Sequence, residues 1–261
     1  MSFFSLDLNL NYKLSTLEKV LPIFLLLFLV FLLIKFKNKI MSNKKLDLYI
    51  RYGLATVSIC FLSLFYILKW NYSGFNPDTI PLHICFISNI LCIILCFNKS
   101  KKLFNFLFFI GILGGLASLL FPDLSLSYKY FRYYQFYICH ISIILIPLYF
   151  YIVYNYKPKF IDCIKSFLIL NIIGIPIGTF NEIYKTNYMF ISFTSNFAAK
   201  GTILENLISG NNYILYLDII VFLALIFWYL VISRVYISHK VTIECHDLSP
   251  GQKSSGGKGK K

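Results

Sequence analysis

Seven stretches of roughly twenty residues carry almost no charge, and they leave little of the 261-residue chain for anything else. They cover residues 18–34, 52–69, 80–97, 103–121, 133–153, 161–181 and 212–233. A hydrocarbon core about 30 Å thick is crossed by a helix of roughly 20 apolar residues. Lipid offers no hydrogen bonds to the backbone, so each run must satisfy its own, which a helix does. The expected fold is all-α: a polytopic membrane protein built as a seven-transmembrane-helix bundle. Composition points the same way, with 58% hydrophobic and 14% charged residues against roughly 25% charged in soluble domains. Gly174, Pro176 and Gly178 make the sixth run the least regular of the set.

A formal net charge of +14 raises nucleic acid as a partner, and the placement of the charge argues against it. Lys35, Lys37, Lys39, Lys44, Lys45 and Arg51 follow the first run. Lys99, Lys101 and Lys102 follow the third, Lys157, Lys159 and Lys165 the fifth, and six more basic residues the seventh. That puts 18 of the 25 basic residues on one side, and Lys13, Lys19, Lys69, Lys129, Arg132, Lys185 and Lys200 on the other. Positive loops stay cytoplasmic, so the N-terminus is expected outside and the C-terminus in the cytoplasm. The implied organisation is an extracytoplasmic segment over 1–17, a seven-helix domain over 18–240 and a basic cytoplasmic tail over 241–261. The tail ends in SPGQKSSGGKGKK, which cannot bury a core and reads as disordered. The positive charges follow the first run instead of preceding it, so that run reads as an uncleaved anchor. The expected location is the cell membrane, crossed several times, in a bacterial plasma membrane.

Seven cysteines are present and none forms a CxxC pair, so neither a disulfide framework nor a structural zinc site is expected. Cys245 and His246, in the tail, have no further ligands nearby. No nucleotide or metal motif implies a cofactor.

Polar residues from several runs fall at one membrane level. His83, Cys85 and Asn89 begin the third run, and Arg132, Gln135 and His140 lie near the start of the fifth. Phe121-Pro122-Asp123 ends the fourth, and Asn181-Glu182 ends the sixth. Ionisable groups inside a membrane face the bundle interior or a wet cavity and mark functional candidates. On a helix Cys85, Asn89 and Cys92 share one face, with His83 pointing about 200° away from Cys85. Gln135 and Cys139 share a face, and Phe136 and His140 the adjacent one. A histidine beside a thiol draws its proton and makes a thiolate nucleophile. Equally, each histidine can simply bond to a neighbouring helix. Gly111 and Gly115 form a small-xxx-small face for close helix approach. The aromatic run KYFRYYQFY reads as an interfacial belt, in which Arg132 is a candidate for a lipid phosphate.

Several motifs occur in order: PLHIC, the glycine-rich fourth run closing in FPDL, RYYQFYICH and TNYMF. Together, over about residues 50–236, they resemble the YwaF family of bacterial integral membrane proteins, which is similar to the animal transmembrane-protein-164 acyltransferases. The resemblance implies seven helices and, for the animal relatives, transfer of a fatty acyl chain onto a lysophospholipid. By motif, their cysteine and histidine fall on Cys85 and His140. Where relatives tend to show Pro-Trp-Tyr before the last run, this chain has Asn211-Asn212-Tyr213.

The expected function is therefore a cysteine-dependent lipid acyltransferase acting on membrane phospholipids. Cys85 would carry a thioester and His140 would act as general base. Asn89 or Gln135 would face the oxyanion, Asp123 would either orient a histidine or merely cap the helix end towards solvent, and His83, Arg132, Asn181 and Asn187 would support the site. The rival readings are a transporter or channel using GIPIG in the sixth run, or a membrane sensor without chemistry. A haem or metal site on His83 and His140 is the most distant.

Overall fold

The computed structural model describes residues 3–6, 12–191, 193 and 213–247, with only the backbone given for 235–247. The remaining residues, including Lys200 and tail residues 248–261, lie outside the described set, as do the side chains of Cys245 and His246. All regular structure among the described residues is helical. Helix α1 spans Thr16–Lys35. The Ser15 side chain accepts from the Glu18 amide while the Glu18 carboxylate accepts from the Ser15 amide, a reciprocal cap that fixes its start. A short α2, Lys37–Ser42, leads to α3, Lys44–Ser73, capped by Asn43 and closed at Gly74, whose φ of 70° suits glycine. Then follow α4, Ile84–Asn98, α5, Lys101–Leu120, α6, Phe131–Val153, α7, Phe160–Tyr184, and α8, Tyr213–Asp247.

Six of these, α1, α3, α5, α6, α7 and α8, are long and apolar enough to cross a membrane. The third expected crossing is shorter than its apolar run, because α4 has 15 residues. Pro81 pushes Ile80 to extended backbone (φ −71°, ψ 140°), and His83 is still extended at φ −66° and ψ 139°. The helix therefore begins at Ile84, four residues after the run does.

Helix α6 is the axis of the bundle. Phe150, Ile143, Ile144, Ile146 and Tyr149 are each at most 1% exposed, and α1, α3, α4 and α5 all pack on it. A helix apolar on every side belongs at the centre of a bundle. Gly115 lets α5 press against it: a Cβ there would sit 2.6 Å from Ile144 Cγ1. At Gly111 it would meet the Ile143 carbonyl at 3.3 Å, so the small-residue face read from the sequence is the α5–α6 contact. A π-turn over Leu107–Gly111 loosens the α5 ladder, and the Trp228 indole of α8 donates to the Phe108 carbonyl at 3.1 Å. Helix α7 runs unbroken through Gly174, Pro176 and Gly178, so GIPIG offers no unwound backbone of the kind a transport pathway requires. Instead Ile191 and Phe193 fold back over Gly174 and Gly178.

The end of the bundle holding the Lys99 loop carries a charged cluster that sequence reading passed over. Asp47 accepts from Tyr149 Oη at 2.6 Å, from Tyr154 Oη at 2.7 Å and from Arg51 Nε at 3.2 Å. Arg51 is 3% exposed, and its Nη1 donates to the Cys96 carbonyl. Burial and the Asp47 carboxylate push the Tyr154 hydroxyl up to about 12, keeping it a donor.

Candidate functional site

The segment before α4 places His83. Asn76 caps a single 3-10 turn, Pro77–Thr79, and the chain then runs extended into α4 with His83 as its N-cap residue. Because His83 is not helical, helical spacing does not set its direction relative to Cys85. Its ring meets the Tyr188 ring edge-on at 4.9 Å. Tyr188 is 3% exposed and donates its hydroxyl to the Pro77 carbonyl at 2.6 Å. Burial pushes that hydroxyl up to about 12, so it stays a neutral donor.

Asn181 holds Tyr188 in place. Its Nδ2 donates to the carbonyls of Tyr188 (2.8 Å) and Ile191 (2.9 Å). Its Oδ1 accepts from the Tyr188 amide (3.0 Å) and the Thr186 hydroxyl (2.9 Å). Both donors and both lone pairs are used. Between these anchors Met189 and Phe190 adopt φ of 57° and 56°, a left-handed pair that persists only when its surroundings hold it. Asn181 thus acts on the site through Tyr188, and Asn187 immediately precedes the same turn.

In α4, the Cys85 thiol lies 3.8 Å from Ser118 Oγ of α5. Ser118 donates its own proton to the Gly114 carbonyl at 2.9 Å, so the thiol is the donor in the Cys85–Ser118 contact. Asn89 donates Nδ2 to the Cys85 carbonyl at 3.0 Å, while its buried Oδ1 has no partner among the described residues. An unpaired buried acceptor costs about 1–3 kcal/mol and draws notice at a candidate site.

Helix α6 supplies the rest. Arg132 donates Nη1 to Gln135 Oε1, and its guanidinium lies 4.4 Å from the Phe65 ring centre and 5.5 Å from that of Phe136. Gln135 Nε2 donates to Cys139 Sγ at 3.4 Å. His140 Nδ1 is 2.6 Å from the Phe136 carbonyl. A carbonyl only accepts, so Nδ1 carries the proton and Nε2 keeps its lone pair.

The structure brings these side chains into one electrostatic neighbourhood centred on Arg132. The Arg132 charge acts on Cys85, Cys139, His83 and His140, and the exposed Asp123 carboxylate acts on both Arg132 and His83. Among the described residues no hydrogen bond joins Cys85 to His140. The thiol's partner is Ser118, whose place in the small-residue stripe GGLAS hid it among packing residues. Tyr188, the partner of His83, sat in view within TNYMF. Among the described residues no three His, Cys, Asp or Glu side chains are grouped to hold a metal ion.

Fold and site together define a multi-pass helical membrane protein with a cluster of thiol, imidazole and guanidinium groups at one end. The TMEM164 family profile matches residues 12–232, and the chain belongs to that family. No curated protein and no solved structure matches it.

Proposed function

We propose that the chain is a membrane-embedded acyltransferase that moves a fatty acyl group between phospholipids through Cys85. The observation that carries this reading is the His140 tautomer: the Phe136 carbonyl holds the Nδ1 proton and leaves the lone pair on Nε2, and the Arg132 charge acts on both this ring and the Cys85 thiol. His140 Nε2 takes the thiol proton as the two side chains close on the donor phospholipid. The thiolate attacks the donor ester carbonyl, the ester C–O bond breaks, and the departing lysophospholipid alkoxide takes its proton back from His140. A second lysophospholipid then gives its hydroxyl proton to Nε2 and attacks the thioester, the C–S bond breaks, and the departing thiolate takes that proton from His140 to restore the Cys85 thiol. The cycle is redox-neutral and requires no cofactor. Arg132, pressed between Phe65 and Phe136, suits a phospholipid phosphate, and the second N–H of Asn89 is the available oxyanion donor.

The accompanying topology has seven crossings, with α4 completed by the extended residues 80–83, the N-terminus outside and the C-terminus in the cytoplasm of a bacterial cell. The site then serves the outer leaflet. Cysteine labelling should find positions 44 and 101 on one side and 129 on the other; 101 and 129 on the same side would overturn it.

The chemistry is tested with purified protein in nanodiscs containing a phospholipid donor and an isotopically marked lysophospholipid. Acyl exchange and a Cys85 thioester mass are expected. Cys85→Ser should abolish the thioester, and His140→Gln should slow exchange about 10²–10⁴-fold. Wild-type exchange by Cys85→Ser would sink the mechanism.

A further inference from the structure

Tyr149 lies nine residues beyond His140 on α6, about 13 Å further along the helix axis. There a cavity of about 450 Å³ is lined by Leu29 and Leu33 of α1, Phe36 at the α1–α2 junction, Lys39 of α2, Ile50 of α3 and Tyr149 itself. We propose that this cavity holds one acyl chain of an anionic phospholipid, with Lys39 pairing the phosphate at its mouth. The volume falls within the range of small-molecule sites, about 300–1,000 Å³. Its wall is apolar because the one phenol lining it turns its hydroxyl away, to Asp47 at 2.6 Å. A free phosphate gains nothing from such a wall, whereas an acyl chain does.

Charge selects the headgroup. Lys35, Lys37, Lys39, Lys44 and Lys45 follow one another with no acidic residue among residues 35–46. The first carboxylate after them, Asp47, is already engaged by Arg51, Tyr149 and Tyr154. Among the described residues no ion pair involves Lys39, and its side chain is exposed. The rim therefore presents uncompensated positive charge above an apolar slot, which matches an anionic lipid and not a zwitterionic one. This site is distinct from the Cys85 cluster and does not depend on the proposed acyl transfer.

The test uses the full chain in nanodiscs with photoactivatable lipids bearing a diazirine in the acyl chain, one a phosphatidylglycerol and one a phosphatidylcholine. Crosslinks are mapped by mass spectrometry. Adducts are expected to concentrate on residues 29–40 and 46–54, with phosphatidylglycerol favoured about fivefold, the weight of one lysine near an anionic surface. Lys39→Glu should remove that preference, and Leu29→Trp should lower adducts of both lipids by filling the slot. Lys39 is exposed and Leu29 half-buried, and unchanged melting of each variant in detergent verifies the fold. Adducts spread evenly over the lipid-facing helices, phosphatidylglycerol preference surviving in Lys39→Glu, or undiminished adducts in Leu29→Trp would each overturn the proposal.

Discussion

Adjacent glycines on α5 should respond oppositely to the same methyl group. Alanine is a better helix former than glycine by about 1 kcal/mol, so Gly→Ala stabilises a helix wherever there is room. At Gly114 there is room, since a Cβ meets nothing within 4 Å. At Gly115 it would lie 2.6 Å from Ile144 Cγ1, 3.0 Å from Ile144 Cδ1 and 3.1 Å from Ile143 Cγ1. Both isoleucines are 1% exposed, and Cγ1 is anchored next to the α6 backbone, so neither side chain can swing away. Overpacking a tight core costs about 1–3 kcal/mol, and this geometry belongs in the upper half of that range. Subtracting the propensity gain leaves Gly115→Ala destabilised by about 1–2 kcal/mol. At about 2–4 °C per kcal/mol for a chain of this size, its melting temperature should fall roughly 2–8 °C, while Gly114→Ala holds or rises by up to about 4 °C. Thermal unfolding of both variants in one detergent, followed by the loss of monodisperse protein, reads the difference directly. Equal melting temperatures would show that α5 and α6 are not pressed together at Gly115.

Two further variants probe the polar anchors. Asp47→Asn leaves Arg51 buried without its carboxylate and should cost about 3 kcal/mol, the low end for a broken buried pair because Asp47 is 13% exposed. Tyr149→Phe removes one donor to that carboxylate and should cost about 1 kcal/mol by the same melting assay; equal losses for the two would mean that Arg51 does not depend on Asp47. Asn181→Ala strips the Tyr188 amide and two carbonyls of their partners, at about 1–3 kcal/mol each. Hydrogen exchange over residues 186–191 should accelerate strongly, and unchanged protection there would refute the clamp.

The apolar runs made the helices legible because lipid allows a long uncharged segment few alternatives. The same reasoning set α4 at 80–97, and there a local rule prevailed: Pro81 holds its predecessor extended, so the helix waits until Ile84. That shift matters for function, because a helical wheel placed His83 opposite Cys85 while the extended backbone frees it from the wheel. Within regular helix the periodicity served well. Cys85 with Asn89, Gln135 with Cys139 and Phe136 with His140 are four-residue pairs that the spacing put together, and all three are in contact. Contacts between elements were out of reach, since no spacing rule joins Cys85 to Ser118 or Asp47 to Tyr149. Tyr188 shows why. Its position depends on Asn181 satisfying four groups across a left-handed turn, and each of those residues looks ordinary in isolation. A polar residue in a membrane protein therefore marks where function is concentrated, whereas its role is decided by which partners already occupy its donors and acceptors. By that criterion Asn181 is spoken for and Gln135 is held between Arg132 and Cys139, whereas the buried Oδ1 of Asn89 has no partner among the described residues.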